Sequence, residues 1–334
     1  MRFGVAIPAA LTLKDQIGLA KECDEAGLSI WAPDERFFRD VFVTLSAFAQ
    51  NTTRSQLATG VTDPQIRHPL LTAVAAASVN ELSGGRAILG LGAGISGFDA
   101  LGIKRQAPAT AIRDMIRIVR RFWDGESIDF EGPLFSAHGA HIHFRAARMP
   151  IYVAGRGPKV LAAGGELAEG VVIGHMTSEP GIGFAREHID RGRSKRSAEL
   201  PAPEIALWAY TSVSPDGAEA KAAVKPAIGR SIRSSPELLP LFGMNLPDLE
   251  QAIARFGYSR SPEYDAAMRR LVPDALTRHL SISGTPAECV EQIRAVRACG
   301  IDHLIILPYP PPSLAAPAMV DLFRREVLPH VSDL

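Results

Sequence analysis

The chain has 334 residues, 46% of them hydrophobic, and its 36 Lys and Arg residues balance 36 Asp and Glu residues, so the formal net charge is zero. A neutral chain is a poor candidate for binding nucleic acid or an anionic membrane surface, and neither is expected as a partner. Its cysteines, Cys23, Cys289 and Cys299, have neither CxxC nor zinc-site spacing, so we expect plain thiols in a reducing compartment and no metal.

The N-terminal residues MRFGVAIP run directly into a strand, without the basic and then apolar pattern of a signal peptide. No apolar run reaches the 18 residues that would predict a membrane span. We therefore expect a cytoplasmic enzyme that acts on a small-molecule substrate.

The first half of the chain alternates strand-like and helix-like runs. Thr12 and Asp15 have the spacing of a helix cap, and Ser83-Gly84-Gly85 ends a later helix, because Gly adopts the left-handed C-cap conformation at little cost. The predicted strands are 2–7, 28–32, 56–61 and 86–91, and the predicted helices are 13–26, 41–50, 69–82 and 108–123.

The second half continues this alternation with two interruptions. Residues 125–148 contain SIDFEGPLFSA and HIHFRA, which predict a small hairpin insertion. Residues 234–280 are rich in Pro and predict a second insertion of two or three short helices. The other predicted strands are 151–154, 170–174, 204–213 and 302–307, and the other predicted helices are 158–167, 181–192, 216–233, 317–328 and one that begins at the Thr285 cap and ends at Gly300.

Eight strands that alternate with helices predict an α/β protein, a single (β/α)8 TIM-barrel domain over residues 1–334. In such a barrel, ligands bind at the carboxyl ends of the strands. The segments that follow the strands are therefore the candidate binding segments.

The stretch Leu57–Gly97 supplies two of these segments. Gly92-x-Gly94-x-x-Gly97 has the spacing of a dinucleotide fingerprint, but it follows the fourth strand and Pro108 delays the next helix, which argues against a Rossmann fold. A tight turn that needs glycine is one interpretation of the motif. The other is a close approach of the backbone at Ala93 and Gly94 to a flat ring system.

Two more strand ends carry charged residues. Arg156-Gly157-Pro158-Lys159 opens a helix, and free N–H groups at a helix start suit an anion, although a solvated loop would have the same composition. Asp34-Glu35 follows the second strand, and a carboxyl group beside an apolar ring can rise in pKa and act as an acid or base. The alternative for this pair is an ion pair with Arg36 or Arg39.

Several motifs together resemble one known family. They are GVTDP, RHP, SGGRAILGLGAG, FDALGI, AGRGPKVLAAGGELAEGVVIG and SGTPAECVEQI. The chain resembles the luciferase-like superfamily of flavin- and deazaflavin-dependent oxidoreductases and, within it, the F420-dependent methylenetetrahydromethanopterin reductases. The resemblance covers nearly the whole chain and is weakest over residues 231–280.

The resemblance implies a role for particular residues. The Gly60–Val61 bond corresponds to a non-proline cis peptide that backs the cofactor's middle ring, and Glu35 stands where relatives often have a His near the reacting carbon, so that it is the candidate catalytic acid or base. The expected cofactor-binding residues are Asp34, Gly60, Val61, Thr62, Asp63, Ala93, Gly94, Gly155, Arg156, Gly157 and Lys159.

The chain also departs from the resembled reductases. They carry acidic residues in the first strand and after the GxG of the fourth, where this chain has Ala6 and Ile95. The resemblance implies a homodimeric or larger oxidoreductase that uses coenzyme F420 to transfer a hydride to or from a small organic substrate. The departures leave open an FMN-dependent monooxygenase and a flavin-binding barrel without activity.

Other polar and aromatic residues have weaker signals. His68 precedes a predicted helix and is expected to cap it. His141 and His143 have no further ligands with plausible spacing, so no metal site is expected there. His175 follows the sixth strand and Tyr210 lies in the seventh, where each could line the pocket or belong to the core.

Overall fold

A computed structural model of the chain describes residues 1–94 and 97–332. Its strands are those of a (β/α)8 TIM barrel, which confirms the predicted fold class. The strands are β1 (Arg2–Ala6), β2 (Ser29–Ala32), β3 (Leu57–Thr59), β4 (Ala87–Gly92), β5 (Ile128–Glu131), β6 (Ser136–Ala140), β7 (Ile151–Gly155), β8 (Gly170–Gly174), β9 (Glu204–Val213), β10 (Ser281–Gly284) and β11 (His303–Pro308).

The α-helices lie largely where the sequence predicts them. They are α1 (Leu13–Glu25), α2 (Val41–Asn51), α3 (Pro69–Leu82), α4 (Pro108–Trp123), α5 (Pro158–Leu167), α6 (Glu179–Arg193), α7 (Gly217–Ser234), α8 (Leu238–Leu241), α9 (Pro247–Phe256), α10 (Pro262–Leu271), α11 (Asp274–Leu280), α12 (Pro286–Ala298) and α13 (Ala316–Glu326).

The chain divides into two compact units. The N-terminal unit comprises residues 4–172 and 188–204, and the C-terminal unit comprises residues 1–3, 173–187 and 205–334. The pair β5 and β6 forms a separate antiparallel sheet, and α8–α11 occupy most of the region from 238 to 280. That residues 1–334 form one domain with two insertions stays a prediction.

In the N-terminal unit, β1, β2, β3, β4 and β7 are parallel neighbours in that order. Their register pairs Val5 with Ile30, Trp31 with Ala58, and Gly90 with Tyr152. The short apolar runs of β2, β3 and β4 are buried at every position, as expected for strands covered on both faces. Because the strands are parallel, their carboxyl ends meet at one edge.

The C-terminal unit is built around the ten-residue strand β9, which pairs in parallel with β11 and with β10. The sequence did not predict β10, whose four residues SISG contain one large apolar side chain. Thr285 and Glu288 form the predicted capping box at the start of α12. Tyr264 from α10 is fully buried, so the helices of region 238–280 contribute to the core of this unit.

Over residues 1–94 and 97–332, no helix is both long and apolar enough to span a membrane. Within the same ranges, no group of three or more His, Cys, Asp and Glu side chains is arranged to hold a metal ion.

Candidate active site

The segments after β2, β3, β4 and β7 meet at the carboxyl edge of the N-terminal unit. Gly60 donates a backbone hydrogen bond to Ala32 at the end of β2 (2.7 Å), and Gly92 at the end of β4 pairs in register with Ala154 of β7. The structure therefore brings together the segments that contain every predicted cofactor-binding residue, 34–35, 60–63, 93–94 and 155–159.

The end of β3 contains the backbone feature that the resemblance implies, because the peptide bond between Gly60 and Val61 is cis. The chain then continues beside β4: Thr62 donates its N–H to Gly90 (3.0 Å) and accepts from Gly92 (2.8 Å). A side chain at Gly92 would collide with the Val61 side chain. Glycine at this position therefore lets Val61 lie against the end of β4.

The glycines after β4 have a packing role that the sequence did not predict. Gly94 and Gly97 have φ angles of +61° and +80°, which favour glycine. A Cβ on Gly94 would lie 2.7 Å from Arg36 Nη2, and one on Gly97 would lie 2.7 Å from Arg36 Cδ. The two glycines thus make room for the Arg36 side chain, whose guanidinium carbon lies 4.3 Å from the centroid of the Phe98 ring. Ile95, one of the two departures from the family pattern, lies outside the described residues.

Arg36 forms an ion pair with Asp63, and both side chains are almost fully buried. The other carboxylate oxygen of Asp63 accepts backbone hydrogen bonds from Gln65 (2.9 Å) and Ile66 (3.2 Å). Asp63 therefore ties the segment after β3 to the segment after β2. An ion pair is present in this loop, and it joins Arg36 to Asp63.

Asp34 has the electrostatic environment expected of a group that holds a proton. Burial raises the pKa of its carboxyl group above the usual range, although a hydrogen bond from the Thr62 side chain and the charge of Arg67 oppose the change. Glu35 is half-buried in the same loop. Its role as the catalytic acid or base stays a prediction, and Asp34 becomes a second candidate for that role.

The start of α5 offers an anion-binding backbone. Gly157 is the N-cap and has no side chain that could satisfy the first-turn N–H groups. A Cβ at Gly157 would meet no atom within 4 Å, so open space lies beside this backbone. Arg156 is half-buried and Lys159 is exposed next to it, so both cations accompany the helix start. This arrangement suits a phosphate group.

His68 is the N-cap of α3, as expected. Its Nδ1 accepts a hydrogen bond from the backbone N–H of Leu70 (3.3 Å), and its Nε2 lies 3.0 Å from the backbone oxygen of Ser136 in β6. The histidine thereby joins the helix to the hairpin. The residues of this edge that the sequence missed are Arg36 and Phe98, whose contacts with the glycine loop carry no local sequence signal.

Comparisons with known proteins agree on one family. A family model described as luciferase-like monooxygenase matches residues 1–303. The chain is 34% identical over 312 residues to the 5,10-methylenetetrahydromethanopterin reductase of Methanolobus tindarius, which covers 91% of this chain and 93% of that protein. It is 25% identical over 302 residues to the F420-dependent glucose-6-phosphate dehydrogenase of Rhodococcus erythropolis, with 87% and 82% covered.

Among solved structures, the coenzyme F420-dependent tetrahydromethanopterin reductase from Methanopyrus kandleri superposes with a TM-score of 0.86 at 25% identity, covering 98% of this chain and 99% of that one. An F420-dependent secondary alcohol dehydrogenase in complex with an F420-acetone adduct shares the fold, with a TM-score of 0.77 at 19% identity and 99% and 98% covered.

Proposed function

Because the chain belongs to the luciferase-like monooxygenase family, we propose that it is an oxidoreductase that uses coenzyme F420 to transfer a hydride to or from a small organic substrate. The proposed reaction is of the kind named for its relatives, the reduction of 5,10-methylenetetrahydromethanopterin or of a similar molecule. The 34% identity over 312 residues to such a reductase supports this choice.

The observation that carries the proposal is the carboxyl edge of the N-terminal unit. The ends of β2, β3, β4 and β7 meet there, the cis Gly60–Val61 peptide lies at the end of β3, and open space lies beside the Gly157 backbone at the start of α5. A flat ring system needs such close backbone approach, and a phosphate needs the N–H groups at the start of α5. Those residues therefore fit a deazaflavin with a phosphate-bearing side chain.

The proposed division of roles follows from these positions. Gly60, Val61, Ala93 and Gly94 would hold the ring system, and residues 155–159 would hold the side chain and its phosphate. The bound cofactor supplies a hydride donor or acceptor. The chain positions the reactants, excludes water and holds one proton on a carboxyl group.

Asp34 and Glu35 are the two carboxyl groups proposed for the proton. Burial raises the pKa of the Asp34 carboxyl group, so this group holds a proton to higher pH than an ordinary aspartate. Glu35 is the residue at the position where the resembled enzymes often have histidine. Separate substitution of each residue distinguishes them.

An FMN-dependent monooxygenase is the second candidate. Ala6, fully buried in β1, stands where the resembled reductases carry an acidic residue. Without that proton-handling group in β1, the chain would use an electron acceptor other than the pterin substrate of those reductases, and a monooxygenase uses molecular oxygen. A barrel that binds a flavin without turnover is the remaining alternative, and turnover of any substrate with the bound cofactor would exclude it.

The oligomeric state and the location in the cell are also part of the proposal. We expect a cytoplasmic homodimer or larger homo-oligomer of a single-domain chain. Light scattering of the purified protein after gel filtration measures the oligomer directly, and a mass of one chain would contradict this part.

The test is a titration of the purified apo protein with F420 and, separately, with FMN, followed by fluorescence. The proposal expects F420 to bind at micromolar or lower concentration and at least tenfold more tightly than FMN. Tighter binding of FMN than of F420 would instead support an FMN-dependent monooxygenase. Failure of both to bind in the micromolar range would contradict the proposed function and leave only the fold.

A further inference from the structure

The carboxyl ends of β9 and β11 in the C-terminal unit carry an aromatic cluster. Tyr210 lies near the end of β9 in register with Leu307 of β11, and Tyr309 follows β11 directly. The two tyrosine rings lie 5.1 Å apart at nearly a right angle. His175, which follows β8, stacks on Tyr210 with ring centroids 3.6 Å apart. This is the edge at which parallel barrels bind their ligands.

The backbone of His175 supports a functional interpretation of the cluster. Its φ angle is +61°, in the left-handed region that non-glycine residues rarely adopt. Its N–H donates to the carbonyl oxygen of Trp208 at 2.7 Å, which holds this conformation. Residues in sparsely populated conformations concentrate at ligand sites, where the surrounding structure fixes them.

Arg230 of α7 brings a positive charge to these aromatic rings. Its guanidinium lies beside the phenol groups of Tyr309, Tyr210 and Tyr264. The guanidinium carbon is 5.5 Å from the centroid of the Tyr264 ring, where a cation–π attraction holds it. The side chain is only 21% exposed, so most of its charge is removed from water.

The residues around Arg230 fix its position. Tyr210 shares a hydrogen bond with Ser231 (2.9 Å), and the buried Tyr264 donates one to the carbonyl oxygen of Pro226 (2.9 Å). A Cβ at Gly229 would lie 2.7 Å from the Tyr264 hydroxyl, so the glycine allows α7 and α10 to approach closely. Arg230 therefore sits on a rigid support, as a ligand-binding cation requires.

Arg230 lacks the close carboxylate that Lys225 and Arg113 have. In the described part of the chain its ion-pair partner is Asp265, and Nη1 and Oδ1 are 3.9 Å apart, beyond hydrogen-bond distance. Lys225, on the same helix, lies 2.7 Å from Asp274 Oδ1. Arg113, in the N-terminal unit, lies 2.9 Å from Glu166 Oε2.

The guanidinium of Arg230 also stays protonated over the pH range in which proteins are folded. Burial by itself would lower the pKa of the guanidinium, but the neighbouring phenol groups of Tyr309, Tyr210 and Tyr264 more than offset this and raise it. The group is therefore always protonated. It presents planar N–H donors that match the two oxygens of a carboxylate or a phosphate.

The geometry points to an oxyanion subsite in the C-terminal unit, in which Arg230 and the Tyr309 hydroxyl bind a carboxylate or phosphate group of the substrate. This inference rests on the proposed function, since it assigns a chemical class to the substrate of that oxidoreductase: an organic molecule with an oxyanion at some distance from its reacting carbon. Tyr210, Tyr264 and Ser231 hold Arg230 in place and are positioning residues.

The test uses inorganic phosphate as the probe and the full-length apo protein. The thermal unfolding midpoint is measured as phosphate replaces chloride at constant ionic strength, because a ligand that binds only the native state raises the midpoint in a saturable way. Wild type is compared with Arg230→Gln, Arg230→Lys and Arg233→Gln. Arg233 is a matched control, an exposed arginine on the same helix whose side chain lies over the Tyr258 ring.

We expect a saturable rise for wild type and Arg233→Gln, and an apparent affinity for phosphate at least tenfold weaker for Arg230→Gln. Arg230→Lys, which keeps the charge and loses the planar donors, is expected between them. Equal phosphate responses of wild type and Arg230→Gln, or no saturable response of wild type, would overturn the subsite. If the Arg230→Gln protein does not fold, the comparison of Arg230→Lys with Arg233→Gln decides the result. Equal phosphate responses of these two variants would then overturn the proposed subsite.

A second arm separates a substrate anion from the phosphate of the cofactor. The dissociation constant of F420 is measured for the same variants, and we expect Arg230→Gln to stay within twofold of wild type. A tenfold weaker F420 affinity of Arg230→Gln would assign the anion to the cofactor and overturn the inference. If wild type does not bind F420 at all, the proposed function fails, whereas the phosphate result still decides the subsite.

Discussion

In the N-terminal unit the buried cation Arg36 is held by the carboxylate of Asp63, whereas in the C-terminal unit the partly buried Arg230 has its one ion-pair partner among the described residues, Asp265, 3.9 Å away. The glycines of the first edge pack against Arg36, Phe98 and Val61, and the second edge carries tyrosine and histidine side chains. The difference indicates that the charge of Arg36 shapes the protein itself. The charge of the second edge is available to a ligand.

This comparison is supported by what surrounds each cation. Arg36 lies between the ring of Phe98 and the glycines 94 and 97, with no room for side chains there. A backbone-lined surface suits an invariant flat cofactor, since every member of a family that uses it must bind the same rings. Side chains on the other edge can change from one enzyme to the next, which is what substrate selectivity requires.

The largest effect is expected when the ion pair of the N-terminal unit is broken. Arg36→Met leaves the Asp63 carboxylate buried without its cation, and removal of one partner of a buried pair costs about 4 kcal/mol of unfolding free energy. Urea unfolding followed by circular dichroism measures this loss. Arg121→Met, which breaks the exposed pair with Glu126, is the control and should have little effect. Equal midpoints for the two variants would contradict a structural role for Arg36.

A smaller loss of stability is expected from Gly94→Ala. The new methyl group would meet both Arg36 and Phe98 and would require a strained φ angle, for a total of about 3 kcal/mol. Gly102→Ala is a matched control, because Gly102 also has a positive φ, +66°, but has no atom within 4 Å of the added group. It should cost about 1 kcal/mol, the backbone strain alone. If both variants lost the same stability, the contact with Arg36 would not explain Gly94.

Substitution of Asp34 tests which carboxyl group holds the proton. Asp34→Asn is expected to lower kcat about a hundredfold, the lower range for loss of a general acid or base, while Glu35→Gln has less effect. Steady-state oxidation or reduction of F420 measures both. The reverse order would assign the role to Glu35, as the sequence alone predicts.

The raised pKa of Asp34 also predicts a direction of pH dependence. The folded protein binds this proton more tightly than the unfolded chain, so Asp34 stabilises most below its unfolded pKa of about 3.9, and this stability is lost as pH rises through the raised folded pKa. The difference in unfolding free energy between wild type and Asp34→Asn should therefore fall as pH rises through that window. A difference that rises instead would contradict the burial of an ionisable Asp34.

The smallest effect on stability is expected at Arg230. Arg230→Gln removes no close ion pair and loses mainly the cation–π contact with Tyr264, so its unfolding free energy should fall by about 1 kcal/mol. Urea unfolding beside Arg36→Met gives the contrast directly. A loss as large as that of Arg36→Met would show that Arg230 has a structural role, and the two edges would then not differ as described.

Regular elements were predictable because their signals are local. The capping box at Thr285, the Gly after α3 and the apolar face of α4 each lie within a few residues of the feature that they determine. The strand β10 was not predictable, since SISG has one apolar residue and is recognised as a strand only by its pairing with β9. The region 234–280 was predicted to contain two or three short helices, and the structure has four there, α8–α11.

The sequence predicted the position of the candidate site, but it predicted the physical roles of the individual residues less well. Strand ends and glycines located its segments, but the partner of Arg36 is 27 residues away in sequence, and Gly94 is explained by a side chain from another strand end. The pKa of Asp34 likewise depends on other segments of the chain, because burial and the charges of Asp63 and Asp40 raise it whereas Thr62 and Arg67 lower it. Long-range packing decides such roles, and no local pattern encodes it.

The most direct test of the account is the F420 dissociation constant of two variants, one from each unit. Lys159→Glu reverses a charge at the start of α5, and Arg230→Gln removes one from the C-terminal unit, with the exposed Lys195→Glu as the control for charge reversal. We predict at least tenfold weaker F420 binding for Lys159→Glu and a change of less than twofold for the other two. Weaker binding by Arg230→Gln with no change for Lys159→Glu would contradict the assignment of the cofactor to the N-terminal unit.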